Sequence, residues 1–348
     1  MNSDERGGPP PQISVVVLNW NGADCIEACL QSLEAQTYRD FEVIVVDNAS
    51  TDGSRERLHA AWAERVRLLL LDVNTGYCGG NNRGIAEARG ALIVLLNNDT
   101  VAHPGWLAAL AAAAERHPNA GMFASRIYSS EQRNRFDSVG LLVYPDGVCR
   151  SRGWLEVDTG QYDQEEEVLG PNGAAAAYRR SMLVDAGPFD EAYFAYLEDL
   201  DLAMRGWIMG YHCIYVPDAI VYHLKSNSSG HHSKLKAYYV ERNRLWNLVK
   251  LFPPWLVVVS PAFTAYRYLL QSFAAITHRG ASGGFVRRYS RAELVTVLAE
   301  AIASGIWGIP DMFRKRHELR RKRRITRRAL AGVISRFKLP ALELALKD

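Results

Sequence analysis

The chain has 348 residues, 48% of them apolar and 23% charged, with a formal net charge of +3. That size and balance suit one large or two smaller globular domains and exclude a disordered or fibrous chain. Five scattered cysteines (Cys25, Cys29, Cys78, Cys149, Cys213) form no CxxC unit. They exclude a disulfide framework and argue for a reducing compartment, with Cys25 and Cys29 read as helix-packing residues.

Residues 1–12 are polar, rich in Gly and Pro, and lack an apolar h-region. They read as a disordered lead-in without a signal peptide, which places the protein in the cytoplasm. Ile13 to Leu18 is a β-branched run, followed by Asn19-Trp20-Asn21-Gly22 and a helix-like stretch from Ala23 to Gln36. Phe41 to Val46 predicts a second strand, and Ser50 or Thr51 is expected to cap the helix after it. Val66 to Leu71 predicts a third strand and Tyr77 to Arg89 a third helix. Ala91 to Leu96 is apolar throughout and ends in Asn97-Asn98-Asp99-Thr100. Six apolar residues in a row suit a strand buried on both faces, hence a parallel sheet covered by helices. Such α/β sheets bind ligands beyond the carboxyl ends of their strands.

His103 to His117 predicts an Ala-rich helix with Pro104 in its first turn. From Met122 to Leu169 the pattern loosens into short strands and polar loops. Gly173 to Tyr178 reads as a strand of small residues, and Arg180 to Ala186 as a short helix stopped by Gly187-Pro188. Tyr196 to Met209 is helical in pattern, Ile214 to Tyr222 extended, and Ser233 to Lys250 helical again after a Ser-, Asn- and His-rich stretch.

The polar residues at the strand ends suggest chemistry. Asp47 can accept the imino N–H of a uracil or thymine ring, while Asn74-Thr75-Gly76 and Asn81 can line a ribose and phosphate region. Asp99 can bind a metal bridging two phosphates, although Asn and Asp are also ordinary turn residues. No GxGxxG follows the first strand and no GxxxxGK[ST] occurs, so a mononucleotide on a metal-bound diphosphate fits best. Glu198 and Asp199 follow aromatic residues, and partly desolvated neighbouring carboxylates make a proton acceptor. Acidic residues also favour the first turn of any helix. His223 beside Asp99 would complete a mixed O/N site suited to Mn²⁺ or Mg²⁺.

Several ordered blocks resemble family 2 glycosyltransferases: Ser14 to Gly22, Asp47 to Ser54, Asn74 to Tyr77, Leu96 to Asp99, Gly187 to Glu191 and Tyr196 to Leu202. The rhamnosyltransferase-like branch is the nearest in character, and the resemblance spans Ile13 to Lys250. It implies a GT-A fold, a nucleotide-binding α/β half fused to an acceptor-binding half, over residues 13–250. It implies a donor site drawn from Asn19, Asp47, Asn74, Gly76, Asn81, Asn97 and Asn98, with Asp47 reading a pyrimidine base. It further implies acceptor contacts at Asn172, Gly173 and Glu198, a general base at Asp199, and metal ligation by Asp99 and His223. The family's DxD begins with Asn97 here, which brings no charge, so the cation would rest on Asp99, His223 and the donor diphosphate. The implied reaction is inverting single displacement from dTDP-rhamnose or a UDP-hexose to a glycan or polyprenyl-diphosphate-linked glycan.

Residues 251–348 form a helical, basic C-terminal region. Trp255 to Thr277 is apolar but interrupted by Pro261 and Arg267, and Leu294 to Ile309 is apolar just ahead of the Arg- and Lys-rich run from Arg314 to Arg328. These features suggest peripheral contact with the inner face of the plasma membrane, the alternative being a helical layer packed on the core or on another copy in a homo-oligomer. A second class of function is a non-catalytic nucleotide-binding protein whose basic tail binds nucleic acid or serves as a scaffold. No nucleic-acid motif accompanies the tail, so no nucleic acid is expected as a partner.

Overall fold

The computed structural model describes residues 9–224, 233–277 and 288–347. The expected lead-in is thus described only from residue 9, and most of the Ser- and His-rich stretch, 225–232, lies outside the described residues. Strands β1 (Ile13–Asn19), β2 (Phe41–Asp47), β3 (Arg67–Leu70) and β4 (Leu92–Asn97) run parallel in the order β4-β1-β2-β3. Helices α1 (Ile26–Glu34), α2 (Ser54–Trp62) and α3 (Gly76–Glu87) connect them. Side chains of β4 alternate between two cores. Ile93 and Leu95 join Val16 and Ile44 on one face, while Leu92, Val94 and Leu96 join Val15 and Val17 on the other. Burial on both faces, at roughly 1.5–3 kcal/mol per large apolar side chain, explains the unbroken apolar run.

Beyond β4 the sheet departs from the expected parallel arrangement. The next elements are β5 (Thr100–Ala102), α4 (Trp106–Arg116), β6 (Ala120–Ser129), β7 (Phe136–Ser138), β8 (Leu141–Val143) and β9 (Cys149–Ser151). They are followed by β10 (Glu166–Val168), β11 (Ala175–Arg179), α5 (Arg180–Ala186), α6 (Glu198–Ile208) and β12 (His212–His223). The main sheet reads β10-β12-β6-β11-β4-β1-β2-β3, with β5 on β12 and β7 on β6. Strand β11 is antiparallel to both β4 and β6. Double-sided burial says only that both faces are covered; it is silent on the direction of the neighbour.

Two local expectations also change. Strand β6 is buried along its whole length although Gly121, Ser125 and Arg126 interrupt its apolar pattern. The Arg126 guanidinium is satisfied by the Tyr215 hydroxyl at 2.9 Å and the Tyr162 carbonyl and Asp163 carboxylate, each at 2.6 Å. Neither Ser50 nor Thr51 caps α2, which starts at Ser54 behind Gly53 at φ +86°. The Ser50 hydroxyl instead accepts from the Asn21 backbone N–H at 3.0 Å and the Asn19 amide at 3.2 Å.

The C-terminal region is a helical layer: α7 (Lys234–Leu251), α8 (Pro254–Ile276), α9 (Arg291–Trp307), α10 (Ile309–Lys322), α11 (Arg327–Arg336) and α12 (Ala341–Leu346). Ser233 caps α7 by accepting from Lys236 N at 3.1 Å. Ion pairs tie the layer to the sheet domain: the buried Arg267 on α8 reaches Asp146 at 2.7 Å, and the half-buried Lys315 on α10 reaches Asp190 at 2.7 Å. Among the described residues no single helix is long and apolar enough to cross a membrane.

Candidate active site

Register lines up polar residues at the carboxyl ends of three adjacent strands. Asn19 pairs with Asp47 between β1 and β2, and Leu18 with Asn97 between β1 and β4. Asn19 is fully buried and serves as the hub. Its amide nitrogen donates to Asp47 Oδ2 at 3.0 Å and Ser54 Oγ at 3.0 Å, and its oxygen accepts from Asn98 at 2.9 Å. Asp47 is also fully buried, and its second oxygen accepts from Ser50 N at 3.2 Å. Both residues therefore brace the rim from beneath rather than present side chains on its surface.

Asn48, which sequence reasoning passed over, shapes the neighbouring turn. Its amide nitrogen donates to Asn74 Oδ1 and Gly76 O, and its oxygen accepts from Thr75 N at 2.9 Å. Gly76 has φ +71°, and a Cβ there would lie 2.5 Å from the Phe194 carbonyl, so glycine is required. Asn81 is buried in α3 and donates to Tyr77 O at 2.9 Å.

Asp99 sits in the turn between β4 and β5. Pairing of β5 with β12 sets Thr100 opposite His223, and Leu224 N donates to Asp99 O at 2.7 Å. This brings His223 Nε2 to 3.3 Å from Asp99 Oδ1. The other ring nitrogen, Nδ1, lies 2.8 Å from Asp137 Oδ2. Burial alone would push the imidazole down, but hydrogen bonds to Asp137 and Asp99 outweigh it and hold it up at about 10. Asp137 is a buried residue of β7, and nothing in its sequence neighbourhood marked it. Among the described residues no three His, Cys, Asp or Glu side chains are grouped to hold a metal ion. With the Nε2 proton displaced, Asp99 and His223 fit a hard divalent cation whose remaining ligands are substrate phosphates and water, the usual condition for Mg²⁺. Their 3.3 Å separation is close to the ~3 Å between adjacent ligands of an octahedral ion with bonds of about 2.1 Å.

Across the rim, α6 begins at Glu198 after Phe194, Tyr196 and Leu197, which carry φ of +64°, +69° and +64°. Three non-glycine residues in this region within four positions mark stored backbone strain. Helix α7 holds the segment in place. The buried Asn243 amide donates to the carbonyls of Tyr193, Ala195 and Tyr196 at 3.1, 2.9 and 2.7 Å, and Asn247 donates to Leu197 O at 3.3 Å. Asn243→Ala should destabilise the protein by about 1–3 kcal/mol, because it strands buried carbonyls. Urea unfolding measures it, and an unchanged midpoint would remove this brace from the account.

The strained turn delivers Asp199 to the end of β11. Asp199 Oδ1 accepts from Leu200 N at 2.7 Å, and the carboxylate is also hydrogen-bonded by the Gly173 backbone. Gly173 O accepts from the Tyr77 hydroxyl at 2.7 Å, and Asn97 N donates to Ala174 O at 3.0 Å. Asn97, Gly173 and Asp199 are thereby linked into one edge, with Asn172 anchored beside them to Ser151 Oγ at 3.1 Å. Desolvation lifts the Asp199 carboxyl to about 6. It lifts the neighbouring Glu198 carboxyl well above its ordinary range, helped by the Asp199 charge. Glu198 is buried, and its Oε2 has no hydrogen-bond partner among the described residues. A partly exposed carboxylate beside a neutral acid is equipped to accept a proton near neutral pH.

Residues 14–185 match the family model described as Glycosyl transferase family 2. The chain is 29% identical over 273 residues to the N-acetylglucosaminyl-diphospho-decaprenol L-rhamnosyltransferase of Mycobacterium tuberculosis, a match spanning 67% of this chain and 86% of that protein. It resembles the structure of S. aureus TarS 1-349 in complex with UDP-GlcNAc, with a TM-score of 0.55, 19% identity, and coverage of 94% of this chain and 92% of that one. It also resembles the mannosyltransferase PcManGT from Pyrobaculum calidifontis in complex with GDP-Man and Mn²⁺, with a TM-score of 0.51, 19% identity, and coverage of 87% and 88%. At these identities the structural likeness establishes the fold. The chain belongs to the family 2 glycosyltransferases and has the GT-A fold.

Proposed function

We propose that this glycosyltransferase moves a sugar from dTDP-rhamnose or a UDP-hexose to a hydroxyl of a polyprenyl-diphosphate-linked glycan, with inversion, in the synthesis of a cell-surface polysaccharide. The mycobacterial relative, named for rhamnosyl transfer to a decaprenol-linked sugar, supports the acceptor class. The observation that carries the mechanism is the Asp199 carboxylate, raised to about 6 and fastened to Gly173 at the edge where β4 ends.

Asp199 takes the proton of the acceptor hydroxyl as that oxygen attacks the anomeric carbon. The bond from that carbon to the diphosphate oxygen breaks on the opposite face, and its electron pair leaves with the nucleoside diphosphate. When bound, Mn²⁺ or Mg²⁺ at Asp99 and His223 supplies positive charge where the leaving group becomes more negative. Asn74, Gly76, Asn97 and Asn98 line the donor side, with Asn19, Asp47 and Asn81 bracing them from below. Asn172, Gly173 and Glu198 flank the acceptor. The protein works at the cytoplasmic face of the membrane, in contact with it through the C-terminal helices. A donor screen for nucleoside diphosphate release, run with Mn²⁺ or Mg²⁺ and a lipid-linked acceptor, tests this reading. Release from no sugar nucleotide would overturn it.

Asp137 fixes the His223 ring so that Nε2 faces Asp99. Asp137→Ala should weaken Mn²⁺ binding in the presence of nucleoside diphosphate by about 10–100-fold. Asp137→Asn retains an acceptor for Nδ1 and should recover part of the loss. Free Mn²⁺ measured by electron paramagnetic resonance reads both, and equal affinity in all three proteins would rule the role out.

A further inference from the structure

The Arg- and Lys-rich run, together with Arg336 beyond it, is only partly ion-paired. Arg314 pairs with Asp311 and Glu318, Lys315 with Asp190, Arg324 with Asp185, and Arg336 with Glu167. Arg320, Arg323 and Arg327 have no ion-pair partner among the described residues. With Arg316 they line a shallow cleft that opens to solvent between the α7–α8 corner and the α10–α11 corner. Arg316 and Arg320 lie one turn apart on one face of α10, and Arg323 follows at its C-terminal end.

Among the described residues no carboxylate lines this cleft. Lys250, also on its wall, is already neutralised by Asp190 and Asp201 at 2.8 and 2.7 Å. Arg316 donates one N–H to Val249 O at 2.7 Å, while burial and the charges of Arg320, Arg327 and Arg323 push its pKa down. Arg327 and Arg328 occupy the first turn of α11, which has no acidic residue, so they stand against the helix dipole. The arrangement is self-repelling.

The floor is apolar, formed by Phe252 and Leu330 among others. Pro253 and Pro254 form the lip, from which α8 leads away. In its first turns Trp255 is 58% exposed and Val258 77%, and the exposed face continues through Leu269, Phe273 and Ile276. A cationic cleft opening onto an exposed apolar helix face matches a ligand with a phosphate at one end and hydrocarbon at the other. It lies at the far end of α6 from Asp199, since Ile208 lines it. The 11 residues of α6 at 1.5 Å each put it ~15 Å from the base, outside the acceptor edge.

We propose that the cleft formed by Arg316, Arg320, Arg323 and Arg327 binds the phosphate of an anionic phospholipid headgroup, with the exposed face of α8 lying among the acyl chains. This rests on the membrane contact proposed above and is independent of the donor and acceptor assignments. The full chain is floated with vesicles of phosphatidylcholine alone or with phosphatidylglycerol. Three proteins are compared: wild type, the cleft variant Arg320→Gln/Arg323→Gln/Arg327→Gln, and a charge-matched variant Arg321→Gln/Lys322→Gln/Arg328→Gln whose residues lie outside the lining.

The cleft variant should lose roughly 100-fold in affinity for phosphatidylglycerol vesicles, about fivefold per arginine, with the control losing much less. Thermal melting of both variants at the wild-type temperature excludes misfolding as the cause. Equal loss in the two variants would mean diffuse charge attraction and overturn the site while leaving membrane contact intact. Wild type that does not float with either vesicle would overturn both readings. Inorganic phosphate that raises the melting temperature as much as vesicles, or duplex DNA that binds the cleft in preference to them, would overturn the lipid assignment.

Discussion

Replacing Asp199 with Asn lowers sugar transfer by about 10²–10⁴-fold, the usual contribution of a positioned general base. The substitution keeps the shape of the side chain and an oxygen able to accept from Leu200 N and Gly173, so the turn before α6 should survive. The second consequence has the opposite sign. Asp199 is raised from an ordinary carboxylate value of 3.8 to about 6 by desolvation. Between those values the folded state holds a proton that the unfolded chain has lost, so stability falls as pH rises through the window. Above about pH 6 the wild type carries the cost of a desolvated charge, and Asp199→Asn removes it. The variant should therefore be nearly inactive and more stable than wild type at pH 7.5, with little stability difference below pH 4. The wild-type rate should also decline as pH drops below about 6, when the base becomes protonated. Wild-type turnover in the variant would end the assignment. A variant less stable at pH 7.5 would make Asp199 a structural carboxylate instead.

Glu198 sharpens this expectation, because two adjoining desolvated carboxyls cannot both ionise cheaply. Its raised pKa leaves Asp199 as the charged member near neutral pH. The observed strain at Phe194, Tyr196 and Leu197 is consistent with a turn shaped to hold this pair at the start of α6.

The parallel half of the fold was legible because its signal is local: apolar runs in β1, β2 and β4, each ending in polar residues. The site was legible where a residue terminates such a strand, as Asn97 and Asp99 do around the end of β4. It was illegible where register decides. Asp47 and Asn48 are adjacent polar residues, and sequence cannot say which one the pleat turns inward. In the structure Asp47 goes under to Asn19, and Asn48 takes the Asn74 turn. Asp137 meets His223 only because β7 lies on β6 and β12 lies on the other side of it. Asn243 and Asn247 lie four apart on α7, a spacing that could have suggested one polar face. Their target, the carbonyls of a strained turn, has no trace in composition.

The C-terminal layer supplies the other large effect. Arg267→Met should destabilise the protein by about 3–5 kcal/mol, the penalty for leaving buried charges uncompensated. Arg267 is 2% exposed, and its guanidinium lies 2.7 Å from Asp146 and 2.8 Å from Glu241. Arg244 also meets both carboxylates, so the network is four groups drawn from α7, α8 and the turn after β8. In a sequence read for membrane spans, Arg267 is an interruption of an apolar helix. In the structure it is the residue that binds that helix to the sheet domain. Burial alone would raise the Glu241 carboxyl, but Arg267 and Arg244 outweigh it and hold it at about 2. Its contribution is therefore fully present above about pH 4.5 and lost as pH falls toward 2. Without Arg267 that loss should move to higher pH, making the variant more acid-sensitive as well as weaker at neutrality. Denaturant titrations at pH 7 and pH 4 separate the two components. A variant with wild-type stability at both would mean that α8 is held by its apolar contacts alone.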